Sequence, residues 1–252
     1  MVEVKHQETI VILGATSTIA EHVARIWSAD DSVTLILIGR NVKKLNIIST
    51  NLSILNPSAK IICKDLIFEN LEAGEMLINE IFDYHQISKV LIAFGTLPDQ
   101  IACQQDVNLA KDSLIVNGVL PILYCEMFIT KMNASAPSSL ALIGSVAGDR
   151  GRKSNYFYGA AKSMMDVYLQ GVRHRLAKTP LHFCMIKPGP TKTAMTESLD
   201  LNFRLADPEI VAKEIVRGIQ RRRSVIYAPS RWRMIMIIIR SLPESIFHKL
   251  NI

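Results

Sequence analysis

The stretch TIVILGATSTIAEHVARIW, residues 9–27, decides the fold because it places a strand, a turn and an amphipathic helix in direct succession. Its apolar and β-branched residues before the turn are consecutive, which is typical of a strand buried on both faces. Gly14 then begins the turn, and Ile19, Val23 and Ile26 mark one face of the helix. The free N–H groups and partial positive charge of such a helix start suit a pyrophosphate. An ordinary strand-to-helix turn remains the alternative, because the usual G-x-G-x-x-G spacing is absent.

Further short apolar runs alternate with helical patterns along the rest of the chain. They are SVTLILIG, AKIICKDL, KVLIAFG, LALIGS, HFCMIKPG and SVIYAP. This alternation predicts an α/β fold, a Rossmann-like doubly wound parallel sheet of about seven strands with helices on both faces. Ligands of such sheets bind beyond the carboxyl ends of the strands. The length of 252 residues suits one large domain, so we expect a single domain over residues 1–252.

Composition and charge restrict the class of protein further. Hydrophobic residues make up 49% of the chain and charged residues 21%, which excludes a disordered protein. The cysteines lack metal-ligand spacing and lie mostly in apolar runs, so we expect reduced core thiols, no metal site and a cytoplasmic protein. The net charge of +6 favours anionic partners or is simply a solvated surface. The dense cluster QRRRS, residues 220–224, closes a helix, where cations complement the dipole, and we expect no nucleic-acid binding.

The segment SVAGDRGRKSNYFYGAAK, residues 145–162, contains a candidate proton donor. From Tyr158 onward the apolar positions recur at three-to-four spacing, which predicts that an amphipathic helix begins there. Lys162 then lies one turn from Tyr158, whereas Tyr156 is expected in the preceding loop. A phenol beside an ammonium is a candidate acid, and the cation is expected to favour the phenolate by lowering the pKa of the phenol.

Three motifs carry a family resemblance. Gly14 with Thr18 and Ala20 lines up with a G-x-x-x-G-x-G turn, Ser145, Tyr158 and Lys162 with an S-x12-Y-x3-K core, and KPGPTKT, residues 187–193, with P-G-x-x-x-T. Over nearly its whole length the chain therefore resembles the short-chain dehydrogenase/reductase family. Within that family, ILGATSTIA, the segment 145–162 and the tail RWRMIMIIIRSLPESIFHKL resemble the reductases that act on decaprenylphosphoryl 2-keto-pentose (erythro-pentofuranosid-2-ulose).

The resemblance implies a role for each residue of the core. Tyr158 would protonate the carbonyl oxygen during reduction and act as the base in reverse, while Lys162 would lower the pKa of the phenol and hold the nicotinamide ribose. Ser145 would hydrogen-bond the substrate oxygen, where a donor helps most as charge develops. Asn117 matches the family asparagine that anchors a relay water. The alternative for Asn117 is a polar residue that bends a helix near Gly118.

The resemblance also implies a dinucleotide site. Gly39 stands where NAD-binding relatives carry an acidic residue, and Arg40 follows it, so NADP(H) is favoured because arginine can pair with a 2′-phosphate. The alternative is a solvated Arg40. Asp65 and Leu66 match the family's adenine contact. The full expected set is Gly14, Ser17, Thr18, Ile19, Arg40, Asp65, Leu66, Gly95, Tyr158, Lys162, Pro188, Gly189 and Thr193.

Two departures from the family pattern bear on this expectation. Thr18 and Ala20 replace glycines of the turn, but both are small and phosphate binding is expected to be retained. The segment IAFG, residues 92–95, replaces the family's N-N-A-G. Gly95 is kept, whereas the asparagines that brace the central sheet are missing, so the local bracing is in doubt.

The resemblance implies an NADPH-dependent carbonyl reductase, an alcohol dehydrogenase in reverse, that acts on a keto-sugar or a lipid-linked keto-sugar. The ketone or alcohol substrate would be free or linked to a polyprenyl phosphate, with a substrate loop near residues 191–206. The alternative is a catalytically silent NADP-binding sensor or scaffold, but such a protein has no chemical need for Asn117, Ser145, Tyr158 and Lys162 together. The family also implies a homo-oligomer, a dimer or a tetramer.

The basic and apolar tail, residues 230–252, predicts a membrane contact. Neither of its apolar pieces is long enough to span a bilayer. Cations and Trp232 flank the apolar residues, which is typical of a segment lying in the interface of an anionic membrane. We therefore expect peripheral contact with the inner face of the membrane. The alternative is a tail that packs on the core of the enzyme or on a partner subunit.

Overall fold

Seven parallel strands form one sheet in the computed structural model, which describes residues 8–197 and 205–250. The strands are β1 (Glu8–Leu13), β2 (Val33–Gly39), β3 (Lys60–Asp65), β4 (Ile87–Ile92), β5 (Ser139–Ile143), β6 (His182–Pro188) and β7 (Val225–Ala228). Their order is β3-β2-β1-β4-β5-β6-β7. The order reverses beside β1, which pairs with β2 on one side and β4 on the other. A crevice therefore lies at the carboxyl ends of β1 and β4, where doubly wound sheets bind ligands.

Helices cover both faces of the sheet, which confirms the predicted fold class. The helices are α1 (Thr18–Trp27), α2 (Val42–Leu55), α3 (Leu71–Tyr84), α4 (Gln100–Gln105), α5 (Val107–Leu114), α6 (Leu120–Lys131), α7 (Tyr156–Arg175), α8 (Pro208–Gln220), α9 (Arg231–Ser241) and α10 (Glu244–Phe247). A π-helical turn, Ile115–Val119, joins α5 to α6, and a 3₁₀ helix, Val146–Gly148, follows β5. Helices α1, α2 and α8 cover one face, and α3, α6 and α7 the other.

Strand β1 shows why consecutive apolar residues are needed. Ile10 and Ile12 belong to the core beneath α1 and α8, while Val11 and Leu13 belong to the core on the opposite face. All four side chains are fully buried. The prediction that this strand is buried on both faces is therefore confirmed.

The pair Asp207–Pro208 predicts a helix start, because aspartate is a common N-cap and proline suits the first helical position, and α8 begins there. The Asp207 side chain accepts a hydrogen bond from the N–H of Glu209 at 2.8 Å, and Pro208 occupies the first helical position. Within the expected substrate loop, Thr191 forms a parallel bridge with Ala206. Residues 198–204 of that loop lie outside the described residues.

The start of α7 corrects the prediction. The helix begins at Tyr156 and not at Tyr158, because Asn155 adopts the non-helical backbone of an N-cap. Tyr156 is therefore helical, and its side chain is 40% exposed. Its ring contacts that of Phe157, with the centroids 4.9 Å apart.

The stretch Val107–Lys131, which comprises α5, the π-helical turn and α6, is long and apolar enough to cross a membrane by length and composition alone. Half of its most apolar window is nevertheless buried inside the protein. Tyr124, Cys125 and Phe128 are fully buried against the sheet. These contacts are those of a core helix.

Candidate active site

A cavity of about 840 Å³ opens at the carboxyl ends of the strands. It brings together most of the residues expected from the sequence, including all four of the expected catalytic set. Those lining it are Gly14, Ser17, Thr18, Ile19, Arg40, Gly95, Asn117, Ser145, Tyr158, Lys162, Pro188, Gly189 and Thr193. Asp65 and Leu66 are not among its lining residues, since Asp65 is exposed at the end of β3 and Leu66 is buried in the core beside it.

The turn after β1 depends on Gly14. Its φ is +78°, a left-handed conformation that side chains rarely adopt, and an added Cβ would lie 2.5 Å from the backbone N of Phe94. This close approach brings the start of α1 beside the end of β4. Thr18 lines the cavity at the helix start, and Ala20 is buried under α1, as the sequence predicts for a small residue in that place.

Ser145, Tyr158 and Lys162 meet on one wall of the cavity. Ser145 follows β5 and caps the 3₁₀ helix, its Oγ accepting a hydrogen bond from the N–H of Ala147 at 3.1 Å. Its hydroxyl also neighbours the phenol of Tyr158 and lowers the pKa of that phenol. The Nζ of Lys162 donates to the carbonyl of Ile143 at 3.2 Å and lies 5.5 Å from the centre of the Tyr158 ring. A hydroxyl, a phenol and an ammonium therefore converge on one place.

The pKa of Tyr158 differs in direction from the sequence-based expectation. Burial raises the pKa of its phenol to about 12, and the neighbouring Ser145 hydroxyl lowers it only in part. Burial also lowers the pKa of Lys162 to about 8. Desolvation thus outweighs the expected stabilisation of the phenolate by the cation. Tyr158 is a protonated phenol near neutral pH, which is the form that can donate a proton.

Asn117 lies in the π-helical turn and is fully buried. Its Oδ1 accepts a hydrogen bond from the N–H of Thr96 at 2.9 Å, and its Nδ2 donates to the carbonyl of Ser113 at 3.0 Å. A Cβ on Gly95 would lie 2.8 Å from Asn117 Oδ1. The amide therefore joins the π-helical turn to the segment that follows β4. This position is compatible with both interpretations of Asn117 from the sequence, an anchor for a water and a residue that distorts the helix.

Aromatic packing occupies the place after β4 where the family's asparagines are missing. The rings of Phe94 and Phe68 stack with their centroids 4.1 Å apart, and Tyr124 meets both edge-on. The Tyr124 hydroxyl donates to the carbonyl of Phe68 at 3.0 Å. The bracing that the sequence left in doubt is thus supplied by this cluster and by Asn117.

Two cations border the part of the cavity beside α2. Arg40 follows β2, Lys44 lies in the first turn of α2, and both line the cavity. Lys44 also donates to the carbonyl of Thr16 at 2.7 Å. The sequence analysis missed Lys44, because Arg40 precedes α2 and no helical spacing relates the two cations.

The tail forms a wall of the same cavity, which the sequence did not reveal. Trp232, Ile235 and Ile239 of α9 line it, and the Trp232 ring packs so closely on Gly189 that a Cβ there would overlap the ring. Met236 is fully buried. The inner face of α9 thus packs on the enzyme, as one of the two sequence-based alternatives proposed.

Arg150 fixes the end of this wall. Its guanidinium donates to the carbonyls of Ile239 and Leu242, both at 2.6 Å, and stands 3.8 Å from the centre of the Phe247 ring. The last carbonyls of a helix lack intrahelical partners, so these bonds satisfy the end of α9. Arg150 therefore ties the tail to the loop that follows Ser145.

Comparison with known proteins places the chain in a family. A model of the short chain dehydrogenases matches residues 8–202, and the chain belongs to this family of oxidoreductases. An uncharacterized oxidoreductase of Mycobacterium tuberculosis is 26% identical over 242 residues, which are 96% of each chain. An uncharacterized oxidoreductase of Staphylococcus epidermidis is 30% identical over 81% of this chain and 86% of that protein.

The fold of a solved relative agrees with this assignment. A short-chain dehydrogenase from Burkholderia cenocepacia, whose crystal structure is a complex with NADP, matches with a TM-score of 0.82 and covers 98% of both chains. The two sequences are 14% identical. At that identity the likeness shows the shared fold alone.

Proposed function

We propose that this protein is an NADPH-dependent carbonyl reductase, formed by a single catalytic domain over residues 1–252. The observation that carries the proposal is the convergence of Ser145, Tyr158 and Lys162 on one cavity at the carboxyl ends of the sheet. A catalytically silent sensor would not need a phenol, a hydroxyl and a buried ammonium together on one wall, since a buried charge costs free energy.

Several residues that line the cavity are suited to binding NADP(H). The start of α1 offers free N–H groups to a pyrophosphate, and Gly14 leaves the backbone open there. Arg40 and Lys44 offer two cations to a 2′-phosphate, which an acidic residue would repel. Pro188, Gly189 and Thr193 would hold the nicotinamide side. The cofactor supplies the hydride of the reduction.

The residues of the chain manage the carbonyl oxygen and its proton. Ser145 donates a hydrogen bond to that oxygen, where negative charge develops. Tyr158, protonated near neutrality, donates the proton that completes the alcohol. Lys162 stabilises the resulting phenolate and binds the ribose hydroxyls. Asn117 anchors a water that returns a proton to the site.

The proposed substrate is a keto-sugar, free or linked to a polyprenyl phosphate. Support comes from the resemblance of the chain to reductases of such substrates and from the composition of the cavity wall. Trp232, Ile235 and Ile239 present an apolar wall, and Arg152, whose Nη2 lies 3.5 Å from Met236 Sδ on the same helix, and Lys153 add cations to the lining. A substrate with an apolar chain and a phosphate would match both.

The tail supports a peripheral membrane contact at the inner face of the cytoplasmic membrane. While the inner face of α9 lines the cavity, Met234, Ile237 and Ile238 on its outer face are 50–63% exposed. Exposed Arg231, Arg233 and Arg240 flank them. This arrangement of cations around apolar side chains suits an anionic lipid surface.

Co-sedimentation with anionic vesicles tests this contact. Because α9 lines the cavity, point substitutions are better than removal of the tail. Ile238→Glu combined with Met234→Glu should abolish a salt-sensitive association, while Ile54→Glu on α2, 72% exposed, should leave it intact. If the unmodified protein, the Met234→Glu/Ile238→Glu double variant and the Ile54→Glu variant all sediment equally with the vesicles, the membrane contact is rejected.

The protein is proposed to assemble as a homodimer or homotetramer. Apolar side chains that are exposed on the surface of α5, α6 and the adjacent α7 support this. They are Val107, Leu109, Val119, Leu123, Met164 and Val167. Monomeric proteins rarely expose a large contiguous apolar patch, so a second copy suits this surface.

Oxidation of NADPH in the presence of carbonyl compounds tests the proposed function. Prenylphosphoryl keto-sugars should be reduced faster than simple ketones or acyl-chain ketones. Ser145→Ala should lower kcat by about 100-fold to 1,000-fold, as expected for loss of one donor to a developing oxyanion. No reduction of any carbonyl, or equal rates for Ser145→Ala and the unmodified protein, would reject the proposal.

A further inference from the structure

A buried ion cluster lies directly behind the site. The Nζ of Lys187 donates to Asp149 Oδ1 at 2.5 Å and to Asp166 Oδ2 at 2.7 Å. The Tyr227 hydroxyl donates to the second oxygen of Asp149 at 2.7 Å. Within the cluster, the side chains of Lys187 and Asp149 are 5% and 1% exposed. None of these groups belongs to the set that handles the substrate.

The charges in this cluster depend on one another. Burial by itself would lower the pKa of Lys187, but the bonds to Asp149 and Asp166 outweigh burial and raise it. Lys187 is therefore a buried ammonium that bridges two carboxylates. Removing a charge from water costs free energy, and a buried charge is retained only where partners hold it.

The three segments joined by Lys187 are those that build the site. Lys187 immediately precedes the Pro188–Gly189 turn, and Asp149 follows the 3₁₀ helix that Ser145 caps. Asp166 lies on α7 one helical turn after Lys162. Only this ammonium bonds to both carboxylates among the described residues.

Two of these segments, the 3₁₀ helix and the start of α7, pack with their backbones in close contact. A Cβ on Gly148 would lie 2.9 Å from the carbonyl carbon of Lys162, and one on Gly159 would lie 2.8 Å from the carbonyl oxygen of Ala147. The 3₁₀ helix therefore rests directly on the first turns of α7. Losing the bridge at one edge of this contact would let the loop slide along the helix.

We propose that Lys187 is a positioning residue, whose ammonium, bound to Asp149 and Asp166, holds Ser145 and the Tyr158–Lys162 helix in register with the Pro188–Gly189 turn. This inference rests on the carbonyl reduction proposed above. Lys187 acts through these neighbours and does not touch the substrate. Its removal should misplace groups that must meet within a fraction of an ångström, and a misplacement of about 1 Å can cost about 100-fold in rate.

Three variants test the proposal. Lys187→Met removes the bridge, Lys187→Arg keeps a cation that can bind two carboxylates, and Lys213→Met is a matched control, because Lys213 forms an exposed pair with Glu209 on α8. Each protein is measured for kcat and KM per folded molecule and for hydrogen exchange of its backbone amides. The exchange readout does not depend on activity.

Lys187→Met should lower kcat by about 100-fold, with KM for NADPH changed less than about threefold. Its amide exchange should rise at residues 145–149 and 188–191 and not elsewhere. Lys187→Arg should recover at least about a tenth of the kcat of the unmodified protein. Lys213→Met should match the unmodified protein in both measurements. Unchanged kcat in folded Lys187→Met, or exchange that rises evenly over the chain, would overturn the proposal.

If Lys187→Met does not fold, Asp166→Asn decides the question by the same exchange measurement. A local rise at residues 145–149 would support the bridge, and unchanged exchange would overturn it. If the unmodified protein reduces no carbonyl, the proposed function fails. The exchange result then still tests whether Lys187 holds the three segments in register.

Discussion

At the scale of single residues, burial sets the protonation states of Tyr158 and Lys162. The phenol of Tyr158 has its pKa raised to about 12, and the ammonium of Lys162 has its pKa lowered to about 8. Reduction uses the protonated phenol, which is the dominant form near neutral pH. Alcohol oxidation needs the phenolate, which is scarce there, so the two directions should respond differently to pH.

We expect kcat/KM for alcohol oxidation with NADP⁺ to rise about tenfold for each pH unit below about pH 8 and to level off above it, because Lys162, with its pKa lowered to about 8, then loses the charge that stabilises the phenolate. The base is the deprotonated phenol, and its fraction increases with pH below the raised pKa. Reduction should show no such gain, because its acid is already protonated. Steady-state rates in both directions provide the measurement, and oxidation that slows as the pH rises would contradict the assignment of Tyr158 as the base.

Arg40 and Lys44 should set the preference for NADPH over NADH. A charge-assisted hydrogen bond contributes about 1.5–3 kcal/mol, so Arg40→Asp should shift the ratio of kcat/KM for the two cofactors by about tenfold or more towards NADH. Lys44→Ala should shift it less. Lys213→Asp, which changes an exposed cation on α8 that does not line the cavity, is the control. Equal efficiency of the unmodified protein with both cofactors would contradict this account.

At the scale of secondary-structure elements, the strand-turn-helix unit of β1 and α1 brings the cofactor side of the site together. The turn needs a left-handed residue because Gly14 has a φ of +78°, and it needs no side chain because Phe94 lies so close. The close approach follows because β1 and β4 are adjacent parallel strands at the point where the strand order reverses. The turn thus links the fold to the site.

Gly14→Ala should lower the free energy of unfolding by about 1–3 kcal/mol, as expected for a strained backbone conformation with a steric overlap. It should also weaken NADPH binding, because the start of α1 must shift. Gly171→Ala on α7 is the matched control, since an added Cβ there meets no atom within 4 Å. Urea denaturation and NADPH fluorescence measure the two effects. A Gly14→Ala protein as stable as Gly171→Ala would show that the turn tolerates a side chain.

Element boundaries show where sequence reasoning succeeds. Asp207 followed by Pro208 predicts the start of α8, because a side-chain cap and a fixed φ act locally. The start of α7 was placed two residues late, because apolar periodicity ignores Asn155, whose backbone conformation sets the boundary. A cap that acts through backbone conformation, without a side-chain hydrogen bond, leaves little trace in the sequence.

At the scale of the whole molecule, the sequence predicts the sheet, its helices and most of the cavity wall, since these depend on strand periodicity and on motifs at strand ends. It could not place Trp232 and Ile239, because the folding of α9 over Gly189 joins segments distant in sequence. For the same reason, the sequence predicts a lowered pKa for Tyr158, whereas the structure raises it. Burial is a property of the assembled molecule, whereas the spacing of Lys162 is local.

The apolar surface of α5, α6 and α7 should hold copies of the chain together. We expect sedimentation velocity to show a dimer or a tetramer, and Val167→Glu, at a side chain that is 66% exposed, to shift it to smaller species. Ile54→Glu on α2 is the control and should not change the assembly. A monomeric unmodified protein at micromolar concentration would contradict the proposed assembly.

The comparison of Tyr158→Phe with Tyr156→Phe tests the central claim most directly. Each substitution removes one hydroxyl from α7, but of the two tyrosines only Tyr158 lines the cavity beside Ser145. The measurement is kcat for reduction of the best ketone, with NADPH affinity determined by fluorescence. Tyr158→Phe should lower kcat by about 100-fold to 10,000-fold with NADPH affinity nearly unchanged, and Tyr156→Phe should have little effect. An inactive Tyr156→Phe protein beside an active Tyr158→Phe protein would contradict the account.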